Sequence, residues 1–379
     1  MEIVYLDNSS TTAVIPEAAE AVMRCMTEEY GNPSSLHDVG MKAFVTLKEA
    51  RETVASALKV SPEEVFFTSG GTEGNNIAVF GTAEKNRRKK GRVVVSAVEH
   101  PCVLGPAQKL SDSGFEVVTV RPDSTGRIGR EQLEGYITPD TVLVSLMLVN
   151  NETGAVQDVA AAAALIKEKG APALLHCDAV QAFGKLPVEP RKLWVDLLTV
   201  SAHKLHGPKG VGAIYIRKGV NLPARIFGGG QEKGMRSGTE PTELIAGFAA
   251  AVKALPDTAQ TLSRIGSLNA RLREGLSQIA GVSVNSPDDA LPYVLNFSVA
   301  GIRSEVLLRA LSADGIYVSA GSACSKGKRS HVLLAQGLSP ERIDSAVRVS
   351  FSRFSVEGEV DRLLESLKRA SASLKRGRR

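Results

Sequence analysis

The sequence predicts an α/β chain in which a large region built on a mostly parallel sheet is followed by a smaller α+β region. Short β-branched runs alternate with helical stretches through roughly the first two thirds of the chain. Those runs are apolar without polar alternation, the pattern of strands covered by helices on both faces. After Leu255-Pro256-Asp257 the texture changes to long helices with a single apolar stripe. At 379 residues the chain has the length for both regions. The expected division is 15–255 for the large region, with 1–14 and 256–379 forming the smaller one.

In order, strands are expected at Val65–Thr68, Arg92–Ser96, Glu116–Val120, Thr141–Ser145, Ala173–His176, Asp196–Val200 and Gly212–Ile216. Helical composition lies between several of them, as in the alanine run from Val159 to Lys169. In such sheets ligands collect at the carboxyl ends of the strands, so a site is expected there. In the second region Leu262, Ile265, Leu268, Leu272, Leu276 and Ile279 recur at spacings of three and four. A strand at Val294–Ser298, a helix near Ser304–Ala313 and a strand at Ile316–Ser319 follow. The closing helix carries Val360, Leu363, Leu364, Leu367 and Leu374 on one stripe.

Hydrophobic content of 43% and charged content of 23% are those of an ordinary globular protein. The net charge of +5 is modest, and much of it sits in Lys375-Arg376-Gly377-Arg378-Arg379. No aromatics interleave with these charges, so they read as a solvated end, and no direct nucleic-acid partner is expected. The opening residues lack a basic start and are interrupted by acids, unlike a signal peptide. No apolar run approaches the ~18 residues that cross a bilayer. Four cysteines are too few for a disulfide framework and lack the paired spacing of a zinc site. A reducing cytoplasm is the expected location, with no metal.

Four segments carry candidate chemistry. Ser69-Gly70-Gly71-Thr72-Glu73 follows a strand and opens a helix, where free N–H groups and close backbone approach suit an anion. It lacks the Gly-Lys-Ser/Thr ending of a P-loop. Ser201-Ala202-His203-Lys204 follows a buried strand; a lysine there is either a surface residue of a glycine-rich loop or one that escapes the cost of a buried charge by bonding covalently to an aldehyde. Asp178 ends another apolar strand, with Gln181 just beyond. It serves either as a helix cap or as the partner that keeps a pyridine nitrogen protonated. Together, in this order, anion loop, strand-end aspartate and strand-end lysine are what pyridoxal phosphate requires.

The fourth segment surrounds Cys324 with small residues, and three cations follow within five positions, which favours a thiolate. Cys177 lies in an apolar strand, and Cys25 and Cys102 have no comparable setting, so these three read as structural. His100 follows a strand and is placed to lie on a flat ring or to serve structurally; His37 and His206 read as structural. No G-x-S-x-G elbow supports a serine hydrolase.

These segments, with Tyr5-Leu6-Asp7-Asn8, Val149-Asn150-Asn151-Glu152-Thr153-Gly154, Met235-Arg236-Ser237-Gly238-Thr239 and Val347-Arg348-Val349-Ser350, resemble the cysteine desulfurases of the NifS/IscS type. That family belongs to the fold-type I, aspartate-aminotransferase-like pyridoxal-phosphate enzymes. Gly321-Ser322-Ala323-Cys324 resembles the NifS and IscS group; the SufS-like cysteine has a different setting. The resemblance implies that Lys204 holds pyridoxal 5'-phosphate and moves the substrate Cα proton. It further implies that Asp178 pairs with the ring nitrogen, Gln181 bonds the ring oxygen and His100 stacks on the ring. Gly71, Thr72, Ser201 and His203 would hold the phosphate, with Thr239 reaching it from the other subunit of a homodimer. Asn151 and Arg348 would clamp the carboxylate of L-cysteine, and Cys324 would take its sulfur as a persulfide for an acceptor protein. Two departures bear on the acceptor: the stretch from Cys324 to Gly337 is slightly shorter than in IscS relatives, and the chain ends soon after its last helix. An iron–sulfur scaffold and a tRNA-thiolating sulfurtransferase are both implied. Selenocysteine lyase, an aminotransferase and a non-catalytic binding subunit are the alternatives; Cys324 disfavours transamination, and the presence of Lys204 and Cys324 disfavours a non-catalytic role.

Overall fold

The computed structural model describes residues 3–320 and 329–376, so Cys324 lies outside the described residues. Twelve strands occur among the described residues: β1 (Val4–Tyr5), β2 (Val65–Thr68), β3 (Arg92–Ser96), β4 (Glu116–Val120), β5 (Thr141–Ser145) and β6 (Leu174–Asp178), then β7 (Leu197–Ser201), β8 (Gly212–Ile216), β9 (Val282–Val284), β10 (Val294–Val299), β11 (Ile316–Tyr317) and β12 (Ala346–Ser350).

Seven of them form one sheet in the order β2-β8-β7-β6-β5-β3-β4. All neighbours are parallel except β8, which runs against both β2 and β7. Two reversals restore direction, so β2 points the same way as β7. The carboxyl ends of β2, β3, β5, β6 and β7 therefore share one edge. The mostly parallel α/β architecture is as expected, and the apolar strands are covered on both faces. One face packs into an extended core that includes Val144, Val200 and Phe248. The other covers Val93, Val95 and Leu143 with Val79, Val103 and Leu110 from two helices.

A second, antiparallel sheet has the order β12-β10-β9, and β1 pairs with β11 in parallel. Helices Thr258–Ser277 and Glu357–Arg376 bury Leu268, Leu272, Leu363 and Leu367 in the same core that reaches the large sheet. The striped sequence segments thus form helices as their periodicity predicts. Three further helices, Pro16–Thr27, Asp38–Leu58 and Thr242–Lys253, pack together and were not singled out by the sequence.

Two strands differ from the apolar runs that announced them. β6 continues through Asp178, paired with Thr199, and β7 continues through Ser201, paired with Gly212. Ladder hydrogen bonds come from the backbone, so polarity of the side chain does not end a strand. Gln181 follows β6 in a turn, not on a helix, and β11 stops at Tyr317, leaving Ser319 in an isolated bridge to Arg348.

The residues between β1 and the first helix join the two sheets. Asn8 N–H donates to the Ser350 carbonyl (3.2 Å) and Ser9 N–H to Ser350 Oγ (2.8 Å), both on β12. A few residues on, Thr12 N–H donates to the His203 carbonyl (3.1 Å) just past β7.

Gly212 has no room for a side chain: a Cβ there would lie 2.6 Å from the Val200 carbonyl oxygen and 2.9 Å from Gly70 Cα. Both are backbone atoms and cannot turn aside. Gly212→Ala should lower stability by about 1–3 kcal/mol, read as a fall in the urea midpoint at constant slope.

Candidate active site

The common strand edge gathers most of the predicted residues. The helix Gly71–Lys85 begins directly after β2, and no side chain caps its start. Gly70 sits at φ +145°, a conformation open to glycine, and turns the chain from strand to helix. A Cβ on Gly71 would lie 2.9 Å from Val180 Cγ2 and 3.9 Å from Ser201 Cβ, while one on Gly70 would lie 3.8 Å from Ser201 Oγ. The Ser201 hydroxyl therefore faces the helix start. Thr72 is exposed on the first turn. His203 Nδ1 lies 3.2 Å from Thr11 Oγ1, and burial holds its pKa down to about 4, so the imidazole is neutral at pH 7.

Asp178 is buried at the end of β6. Its Oδ2 accepts from Asn75 Nδ2 at 2.7 Å, and its Oδ1 accepts from Val180 N–H at 3.0 Å. The second contact satisfies an amide in the turn as a capping residue would, but the carboxylate is also held from a separate helix. Asn75 lies one turn beyond Gly71, so a single helix serves both the anion cradle and the aspartate.

His100 begins the helix Pro101–Asp112, and its Nδ1 accepts from Cys102 N–H at 3.2 Å. An accepting Nδ1 leaves the proton of the neutral ring on Nε2. Burial lowers the His100 pKa; Asp178 opposes the shift while Lys204 and His331 reinforce it, which places all three groups near this ring. Cys102 Sγ lies 2.9 Å from His100 Nδ1, nearer the site than the sequence suggested, but burial pushes its thiol up to about 12 and keeps it protonated.

Lys204 ends a short 3₁₀ turn after β7, and its amine donates to the carbonyls of Ser9 (2.6 Å) and Ser10 (2.7 Å). Gln181 Nε2 donates to the same Ser9 oxygen at 2.9 Å. Arg348, on β12 and almost wholly buried, pairs with Asp7 Oδ1 and Ser10 Oγ, both at 2.7 Å from Nη2. Its Nη1 donates to the Asn151 carbonyl at 3.0 Å, and its Nε has no partner. The guanidinium thus keeps donor capacity for an acidic ligand.

Among the described residues, no hydrogen bond joins Thr239 to this group, and Thr239 is exposed just before the helix Thr242–Lys253. Asn75, Asp7 and Ser10 were missed as supports; only their contacts with predicted residues reveal them. Glu99, the residue before His100, was likewise not singled out by the sequence. It is fully buried, with Oε1 accepting from Ser96 Oγ and Met147 N–H (both 2.7 Å) and Oε2 unpartnered. Burial, reinforced by Asp178, pushes its pKa up to about 8.

An uncapped helix start, a buried strand-end carboxylate and a strand-end lysine at one edge of this fold are the arrangement of a group-transfer enzyme of the fold-type I kind. The chain belongs to the class-V aminotransferase family, whose profile matches residues 4–363. Within that family it is a cysteine desulfurase of the NifS/IscS type. The cysteine desulfurase IscS of Clostridium botulinum is 40% identical over 371 residues, covering 96% of this chain and 93% of the relative. A NifS-like protein of known structure is 39% identical with a TM-score of 0.93, covering 98% of this chain and all of that one. SspA, solved in complex with cysteine, is 34% identical with a TM-score of 0.83, covering 93% of this chain and 99% of that one.

The family is dependent on pyridoxal phosphate, and the donor set here fits that group. An uncapped helix start beside a serine hydroxyl suits its phosphate, a buried carboxylate suits its ring nitrogen, and a lysine amine suits its aldehyde.

Glu99 gives the site a measurable pH signature. Its carboxyl binds a proton more tightly folded than unfolded, so stability falls as pH rises from the unfolded pKa near 4.5 towards the folded value of about 8. Glu99→Gln keeps an acceptor for Ser96 and Met147 and removes the titration. Urea unfolding at pH 5 and pH 8 should show the variant gaining on the wild type by up to ~4 kcal/mol across that interval.

Proposed function

We propose that this desulfurase takes sulfur from L-cysteine with pyridoxal 5'-phosphate bound at Lys204 and passes it to Cys324. The observation that supports this most is the convergence of Lys204 and Gln181 on one carbonyl, with the Asp178 and Lys204 charges both acting on His100. Bound there, the coenzyme supplies an aldehyde and an electron-withdrawing ring that stabilises negative charge at the substrate Cα.

The chain's own groups do the rest. Gly71, Thr72, Ser201 and His203 hold the phosphate, joined by Thr239 of the second subunit. With the coenzyme bound, Asp178 would keep a proton at the ring nitrogen, Gln181 would donate to the ring oxygen and His100 would pack on the ring. Arg348 takes the substrate carboxylate, with Asn151 beside it, as its two-pronged donor geometry suits. Lys204 removes the Cα proton. The Cys324 thiolate attacks the substrate sulfur; the Cβ–S bond breaks as the S–S bond forms. Protons return to carbon, L-alanine leaves, and Cys324 carries the persulfide to a thiol of the acceptor.

The working form is a homodimer. Met23, Met26, Tyr30, Leu36, Phe44 and Phe227 are large apolar side chains left exposed in one chain, a surface that a second copy would cover. The acceptor is an iron–sulfur scaffold or a tRNA-thiolating sulfurtransferase, and the setting is the cytoplasm. Among the described residues no helix is long and apolar enough to cross a membrane.

With a thiol present, the purified protein should release alanine and sulfide from L-cysteine and absorb near the visible edge. Cys324→Ala should keep that absorption while losing at least ~100-fold in persulfide transfer; unchanged transfer sinks the assignment of the nucleophile. Arg348→Lys should raise KM for L-cysteine by about 10–100-fold, with a smaller fall in kcat, because one ammonium replaces a two-pronged donor.

A further inference from the structure

Lys185 lies in the turn after β6, 7% exposed, with its amine 3.2 Å from Gln181 Oε1 and 5.7 Å from the centre of the Tyr293 ring. The charged groups that act on it are Lys204 and Arg348, and it in turn acts on His203 and His206. No carboxylate pairs with it among the described residues. A lysine buried among cations is costly to keep. Burial, followed by Lys204 and Arg348, lowers its pKa to about 7, so at neutral pH its charge is largely optional while its N–H donors remain.

Those donors act on one atom. The Gln181 amide has a donating end and an accepting end of nearly identical shape. Its Nε2 faces the Ser9 carbonyl, the same oxygen that receives the Lys204 amine, and its Oε1 faces Lys185. Turned over, the amide would set its oxygen against the Ser9 oxygen and its N–H groups against the Lys185 amine. Ser9 therefore selects one orientation, and Lys185 selects the same one from the opposite side while it is an ammonium, which has no lone pair to accept. If a ligand atom takes the place of the Ser9 carbonyl, Lys185 is the remaining group that selects it.

We propose that Lys185 is a positioning residue for the coenzyme ring: by holding Gln181 Oε1 it keeps the Gln181 N–H turned towards Lys204, ready to donate to the ring oxygen. This rests on the reading of Gln181 given above. Lys185 touches neither substrate nor reacting atoms in this role; it acts wholly through the glutamine.

The test is a double-mutant cycle on the coenzyme-loaded protein, read by the near-visible absorption band and the pH midpoint of its change. Lys185→Met removes the donors and keeps an unbranched apolar side chain in the buried position. It should shift the midpoint by about half a unit or more and weaken coenzyme retention several-fold. Lys185→Arg, which restores N–H donors, should return the midpoint most of the way to the wild-type value. Gln181→Leu alone should shift the midpoint in the same direction as Lys185→Met, and adding Lys185→Met to it should move the midpoint no further. A thermal melt of the coenzyme-free proteins separates loss of fold from loss of orientation: equal melting temperatures with a shifted midpoint support the positioning role. A wild-type band with an unmoved midpoint in Lys185→Met overturns this proposal alone, as does an undiminished Lys185→Met effect in the Gln181→Leu background. Absence of any visible band in the coenzyme-treated wild type overturns both this proposal and the functional reading beneath it.

Discussion

Lys204, Lys185 and Arg348 lie close together, Lys185 and Arg348 buried and Lys204 partly so, and the segment from Asp7 to Thr12 supplies acceptors to Lys204 and Arg348. Burying an unpaired ammonium or guanidinium costs several kcal/mol after relaxation. Here the Ser9 and Ser10 carbonyls receive the Lys204 amine, and Asp7 with Ser10 receives Arg348. The same segment is bonded to β12 on one side and to the turn after β7 on the other. A short, irregular piece of chain thus fixes the two sheets in position while supplying counter-dipoles to the site between them. Its backbone groups have little freedom to serve one role without the other.

The electrostatic consequence extends to the histidines. With cations close by and water excluded, a protonated imidazole is disfavoured. Burial leads the downward shift in His100, His203 and His206, and neighbouring lysines or arginines reinforce each. Neutral rings suit the geometry: His100 accepts at Nδ1 from its own helix, and His206 Nδ1 lies 2.8 Å from the Ala13 carbonyl. The thiols nearby are kept protonated for the complementary reason, since burial disfavours their anions and the Asp178 charge opposes them at both Cys102 and Cys177. Low pKa values for imidazoles and high ones for thiols are two results of one dry site.

The parallel edge explains why so few residues are needed. Every strand of the large sheet except β8 delivers its carboxyl end to the same edge, so residues 71, 100, 178 and 204 meet although more than a hundred positions separate the first from the last. The helix after β2 then does two things in one turn, presenting free N–H groups at Gly71 and holding Asp178 through Asn75. β8 reverses direction without disturbing this, because its antiparallel pairing with both β2 and β7 leaves those two running together.

Much of this was legible in the amino-acid order. Apolar strands without alternation gave the parallel sheet, and the stripes after Asp257 gave two long helices, because burial on one face or two leaves a periodic trace. Gly70-Gly71, Asp178 and Lys204 stood out because each is chemically out of place at a strand end. Asp7, Asn75, Lys185 and Glu99 left no such trace. Their importance lies in distances across the fold, as Asn75 to Asp178 spans 103 positions and Arg348 to Asp7 spans 341. Local sequence determines which strands and helices form, and which residues are reactive in kind. Tertiary packing alone decides which polar groups share a dry space, because desolvation and hydrogen bonding depend on neighbours that the chain brings together only once it is folded.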